Sequence, residues 1–175
     1  MVNTFNLVQN KINELPNNIE AEQSIIGSIL VSNELFDEIN MVVSSKNFYD
    51  PMHQKIFNAI EKLIYSGMLA NPITLKNYFE NEKDEINIPD YLVKITKFST
   101  SVRQTIEYSK LVYDLFVKRE LIKISENIID TAKLNDLDSD GQSIIENFEK
   151  SLFDLAEKGS FSSSLVKFDE AMKMT

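Results

Sequence analysis

The 175-residue chain has no cysteine, no tryptophan and one histidine, and only four glycines and four prolines. Without cysteine there are no disulfides and no thiolate metal sites, which fits the cytosol. No apolar run approaches the roughly 18 residues needed to span a bilayer, and the N-terminus lacks the basic region and apolar stretch of a secretory signal. A cytoplasmic protein with no membrane partner is expected. Gly27, Gly67, Gly141 and Gly159 are too widely spaced for a GxxxxGK[ST] loop or a GxGxxG turn, so no nucleotide phosphate is cradled here. A surplus of basic charge is missing as well. With a net charge of -9, the surface is not built to neutralise phosphates, and no direct DNA binding is expected. An acidic surface instead steers a basic protein patch, or simply keeps the chain solvated.

What remains is 43% hydrophobic and 26% charged residues, with apolar positions recurring at spacings of three and four. That pattern predicts an all-α protein, and no strand alternation is visible. Residues 1–14 form a polar, weakly patterned flexible tail. Asn17 or Asn18 caps a first helix that buries Ile25, Ile26, Ile29 and Leu30. A second, short helix carries Leu35, Phe36, Ile39 and Val43. Asp50-Pro51 supplies a cap with proline at the first helical position, and Ile56, Phe57, Ile60, Leu63 and Ile64 face inward until Ser66-Gly67 ends that helix. Thr74 caps a short helix with Leu75, Tyr78 and Phe79. Pro89-Asp90 opens another with Tyr91, Leu92 and Ile95. Residues 15–100 thus make a small helical globule.

From about Val102 to Leu134 there is neither glycine nor proline. Ile106, Leu111, Leu115, Ile122, Ile128 and Ile129 mark an apolar stripe too long for a small globule to cover. After an acidic turn, Ile145, Phe148, Leu152 and Leu155 continue at helical spacing. Two consecutive helices with a short loop predict an antiparallel helical hairpin over residues 101–158. Its stripe calls for self-association, with Leu115, Ile145, Phe148 and Leu152 as the contact residues. Residues 159–175 read as a flexible linker, Gly159 to Ser164, followed by an amphipathic helix bearing Leu165, Phe168 and Met172. That helix stops too soon to pack, which points to a longer protein.

Catalytic and metal-binding chemistry is hard to place. His53 lies three and four residues before Ile56 and Phe57, at the edge of an apolar face, and reads as a core-edge histidine with a local hydrogen bond. Asp136 to Gly141 spells the first half of a calcium loop, but Asn147 stands where the bidentate glutamate belongs, leaving a solvated acidic turn. No metal site is expected. Arg119 beside Glu120 suggests ordinary surface ion pairs, and the carboxylates scatter over helix surfaces. Phe36, Phe57, Tyr78, Phe79 and Tyr91 read as core. No catalytic constellation emerges, so this chain alone is not expected to be an enzyme.

One stretch is more specific: Leu15-Pro16-Asn17-Asn18-Ile19-Glu20-Ala21-Glu22-Gln23-Ser24-Ile25-Ile26-Gly27-Ser28-Ile29-Leu30. It resembles the opening of the DnaB-type replicative DNA helicase family. The likeness continues, in order, through Asn47 to Phe57, Ile73-Thr74-Leu75, Asp90-Tyr91-Leu92, Ile106-Glu107-Tyr108, Lys118 to Ile122 and Leu152 to Glu157.

This resemblance implies the N-terminal domain of such a helicase, a helical globule followed by a hairpin. In that family the domains associate through their hairpins into a collar above the motor ring, a hexamer arranged from dimers. The collar receives the C-terminal helical domain of primase and also contacts a helicase loader. ATP and magnesium belong to the motor of the full-length protein and have no place in this chain. By motif match, Tyr91, Ile122 and Ile128 bear on the hairpin and its response to primase, with plain helix packing as the other reading. Leu165 to Met172 resembles the start of the family's linker helix. Many relatives have paired glycines before the tyrosine, whereas this chain has Ile88-Pro89-Asp90. A second reading of the same residues is a stand-alone dimeric helical adaptor without a motor.

Overall fold

The computed structural model describes residues 14–79, 88–134 and 140–173, with 158–173 described for the backbone alone. Among the described residues the ordered elements are α-helices and short 3-10 turns. The helices are α1 (Ile19–Val31), α2 (Phe36–Asn40), α3 (Pro51–Tyr65), α4 (Pro72–Phe79), α5 (Ile88–Ile95), α6 (Val102–Lys133) and α7 (Gly141–Lys173). The all-α class follows from the residues that start and stop these elements. The Asn18 side chain accepts from Ala21 N at 3.0 Å, and Asp50 caps α3 by accepting from Met52 N at 2.7 Å with Pro51 at the first helical position. Gly67, at φ 77°, turns the chain out of α3.

At α4 the cap is Asn71 rather than Thr74. Asn71 Oδ1 accepts from Ile73 N and Thr74 N, and Thr74 sits inside the first turn, where its hydroxyl accepts from Asn71 N. Both residues are good caps, and the tighter local turn favours the earlier one.

The head is built around α1. Every residue from Ala21 to Leu30 except Gln23 is buried, so the helix is enclosed on all sides rather than on the single face its isoleucines suggested. Small residues make this possible. At Gly27 an added Cβ would lie only 2.2 Å from the Ile95 carbonyl oxygen, so the backbone after α5 lies directly on α1. Phe48, Phe57 and Phe36 fill the space between α1, α2 and α3, with successive ring centroids 5.0 and 5.7 Å apart. Tyr78, expected in the core, is 44% exposed.

Helix α6 covers 32 residues, about 48 Å at 1.5 Å per residue. Its first turns pack on α1: Thr105, Ser109 and Val112 are buried, and Thr105 donates to Ser28 Oγ at 3.1 Å. Helix α7 packs back along α6. The expected break at 159–164 does not interrupt the backbone of α7, which is helical from Gly141 to Lys173. A lone glycine costs a helix only about 1 kcal/mol, and the helix on its N-terminal side is already nucleated. Residues 1–13 of the expected tail, the charged stretch at 80–87 and residues 135–139 of the acidic turn lie outside the described residues. Asp140 caps α7 by accepting from Ser143 N at 2.8 Å, which holds its carboxyl below the ordinary range.

Candidate functional site: a buried polar network at the root of the hairpin

Glu22 stands three and four residues before Ile25 and Ile26, so α1 points its carboxylate into the head, where it is 1% exposed. His53 occupies the equivalent position on α3, ahead of Ile56 and Phe57, and is fully buried. The two meet at 2.7 Å between His53 Nδ1 and Glu22 Oε2. Glu22 also accepts from two backbone amides at the entry to α3, Tyr49 N at 2.5 Å and Asp50 N at 3.3 Å. A buried carboxylate is tolerated when donors surround it, and this one has three.

On the other side of the imidazole, His53 Nε2 lies 2.5 Å from the Tyr91 hydroxyl, whose oxygen also accepts from Gln23 Nε2 at 3.1 Å. These partners fit a neutral imidazole that donates from Nδ1 to Glu22 and accepts at Nε2 from Tyr91. Burial pushes the Tyr91 hydroxyl above its ordinary pKa. The Gln23 hydrogen bond pulls it back, and the carboxylates of Asp50 and Glu22 add to the rise.

Arg119 reaches the same region from α6. Its Nη1 donates to Pro16 O at 2.8 Å and its Nη2 to Asn47 O at 2.6 Å, while its guanidinium carbon lies 5.5 Å from the centroid of the Tyr49 ring. Burial lowers its pKa, and the Glu22 carboxylate opposes that shift. The arginine is therefore half-buried and bonded to loop carbonyls, not in the surface ion pair that its neighbour Glu120 suggested. Likewise His53 is fully enclosed, with partners far away in sequence, whereas a local bond at the core edge was expected.

Tyr91 is thus joined to α1 and α3. Ile122 lines a groove beside Arg119 with Leu15, Phe48 and Tyr49. Ile128, farther along α6, is half-buried. Of the residues expected to self-associate, Ile145 and Leu152 are 53% and 44% exposed, and Leu115 and Phe148 are half-buried. The side chains of Leu165, Phe168 and Met172 lie outside the described residues. The sequence reading missed Glu22, Gln23 and Arg119. A signal was present: each of Glu22, His53 and Arg119 is a polar residue at an apolar position of its own helix.

The network holds three helices together, with Glu22 and Gln23 on α1, His53 on α3 and Tyr91 on α5. Among the described residues no group of three or more His, Cys, Asp or Glu is placed to hold a metal ion. Tyr91→Phe keeps the ring and removes the hydroxyl, so His53 Nε2 and Gln23 each lose a partner, and stability should fall by about 1–2 kcal/mol. The pH dependence has a definite sign. The folded state favours the neutral phenol, so its contribution is complete below the ordinary tyrosine value of about 10 and is lost as pH rises through the higher folded value. Urea titrations of wild type and Tyr91→Phe at pH 8 and pH 11 measure both effects; a gap between the two proteins that does not narrow at pH 11 would contradict this assignment.

Residues 14–114, which include every member of the network except Arg119, match the model of the DnaB-like helicase N terminal domain. The replicative DNA helicase DnaB of Rickettsia felis is 38% identical over 172 residues, covering 91% of this chain and 35% of the relative. That of Rickettsia typhi is 35% identical over 190 residues, covering 98% of this chain and 38% of the relative. The chain therefore spans a little over a third of the length of these curated relatives. The crystal structure of the N-terminal domain of DnaB helicase from Mycobacterium tuberculosis superposes with a TM-score of 0.73 at 20% identity, over 81% of this chain and 99% of that one. A DnaB-like replicative helicase, solved in a study of its interactions with primase, gives 0.63 at 20% identity over 90% of this chain and 35% of that one. Those two likenesses bear on the fold, and the sequence match bears on descent: the chain belongs to the family of DnaB-like helicase N-terminal domains.

Proposed function

We propose that this chain is the noncatalytic collar module of a replicative DNA helicase, which self-associates through its hairpin and receives primase during DNA replication. In this reading residues 15–100 form the head, 101–158 the hairpin and 159–175 the start of the linker helix. The observation that carries it is the exposed apolar surface on a hairpin attached to a head of this family. Leu121, Ile129, Leu134, Ile145, Leu152 and Phe153 are between 41% and 66% exposed. That much apolar side chain on two long helices marks an interaction surface. A second copy of the same hairpin supplies a matching one.

ATP hydrolysis and DNA unwinding belong, on this reading, to a motor in the full-length protein. The glycines of this chain fit no phosphate loop, so no residue here is assigned to ATP or magnesium. Primase is named with the similar DnaB-like replicative helicase; the family resemblance narrows the proposed partner to the primase C-terminal domain and adds a helicase loader as a second.

Leu152→Asp should weaken self-association about 100-fold or more, because an unpaired carboxylate buried in the interface costs on the order of 3–5 kcal/mol. Ile122→Asp should act in the same direction, although its place in the groove beside Arg119 makes it a less clean test. The module's role is tested by titrating the chain with an isolated primase C-terminal domain and following the complex by light scattering. Formation of a saturable complex is expected; a chain that ignores the domain at every concentration would remove primase recruitment from the proposal.

A further inference from the structure

Arg119 stands on α6 beyond the turns that are fully buried in the head, where the helix lies along the head's surface beside Leu15, Phe48 and Tyr49. Thr105, Ser109 and Val112 are the buried residues of this helix, and no described residue of α6 after Val112 is buried. Past Arg119, Ser125 and Thr131 hydrogen-bond back along the helix, to Leu121 O and Asn127 Oδ1. Arg119 instead reaches into the head, and its two Nη groups go to carbonyls of two separate loops, Pro16 and Asn47. A planar, preorganised fork makes such a double contact directional in a way that a single ammonium does not.

Both acceptors are held from behind. Asn18, two residues after Pro16, caps α1. The Asn47 side chain accepts from Ser44 N at 2.6 Å, and the amides of Tyr49 and Asp50 are fixed by the buried Glu22 carboxylate. The guanidinium also lies against the rings of Tyr49 and Phe116, at 5.5 and 6.0 Å. Its position therefore reports where the head's loops sit, and it does so at the base of a long arm. Roughly 21 Å of α6 lies beyond it at 1.5 Å per residue, so a tilt of about 10° there moves the end of the helix by about 4 Å.

We propose that Arg119 is a positioning residue that sets the direction of the hairpin relative to the head, transmitting the arrangement of the Glu22 network to the arm. This does not depend on the hairpin's self-association, although the direction of the arm fixes where its apolar face is presented.

The lack of native cysteine allows a direct test on the whole chain. Spin labels on Asn58→Cys in α3 and Lys133→Cys at the end of α6 report the distance from head to arm, and a second pair on Asn58→Cys and Lys76→Cys reports the head alone. Dilution with unlabelled protein removes distances between copies. In Arg119→Met, which keeps the aliphatic stem, the head-to-arm distribution should shift or broaden by about 4 Å or more, while the head pair stays as narrow as in the wild type. Arg119→Lys, with its charge but no fork, should broaden it to an intermediate extent. An unchanged head-to-arm distribution in Arg119→Met would overturn the proposal. Equal broadening of the head pair would also overturn it, since Arg119 would then be supporting the head itself. A lysine variant indistinguishable from wild type would overturn the role of the fork.

Discussion

Glu22→Ala is expected to cost the fold about 3–5 kcal/mol, a large fraction of the 5–15 kcal/mol that a domain of this size has to lose. The carboxylate is 1% exposed and accepts from Tyr49 N, Asp50 N and His53 Nδ1. Removing it leaves three buried donors without their acceptor, and each unmade bond costs about 1–3 kcal/mol before the site relaxes or admits water. Glu22→Gln is a finer probe. The amide keeps the size of the side chain but turns an NH2 group toward at least one N–H donor, so a loss of about 2–3 kcal/mol is expected. Urea unfolding of Glu22→Ala, His53→Ala and the double variant completes the test. Once one partner is gone the second is already unpaired, so the double variant should be less destabilised than the sum of the singles by more than about 0.5 kcal/mol. Strict additivity would mean that the pair contributes nothing to the stability of the head.

Gly27→Ala should also destabilise the head, for an unrelated reason. In an open helix this change would stabilise by about 1 kcal/mol, because alanine has the higher helix propensity. Here the new methyl would sit 2.2 Å from the Ile95 carbonyl oxygen and 3.1 Å from its carbon. Relief requires the backbone at Ile95–Ser99 to move away from α1 by about 1 Å, and such overpacking typically costs about 1–3 kcal/mol, occasionally more. The clash is with backbone, which cannot swing aside as a side chain would, so the steric cost falls at the upper end of that range and leaves a net loss of about 2 kcal/mol. Thermal unfolding of Gly27→Ala checks the sign: a melting temperature at or above that of the wild type would show that α1 and the turn after α5 are not in close contact.

Local rules account for much of the fold. The run without glycine or proline from Val102 onward predicts a helix to about Leu134, and α6 ends at Lys133. Asn18, Asp50-Pro51 and Gly67 act at the ends of α1 and α3 as their residue types require. What local rules do not settle is which polar residues are buried. Glu22, His53 and Arg119 each interrupt an apolar stripe, and periodicity alone cannot distinguish a tolerated interruption from a partnered one. The answer depends on residues 27 to 103 positions away, such as the carboxylate that meets His53 and the Pro16 carbonyl that meets Arg119. The same limit applies to α1, where Ser24, Gly27 and Ser28 look like a polar face until α5, α6 and the turn between them are laid over it. At α7, the glycine and serines at 159–164 suggest a linker from composition, yet the helical backbone continues through them.

On the function proposed above, the hairpin presents an apolar surface that another copy of the chain covers. Sedimentation equilibrium over a hundredfold range of concentration tests it most directly, with Leu152→Asp run alongside. The predicted result is a mass that rises with concentration to that of a dimer or larger, with the variant displaced toward monomer. A wild-type chain that remains monomeric at every concentration would contradict the claim.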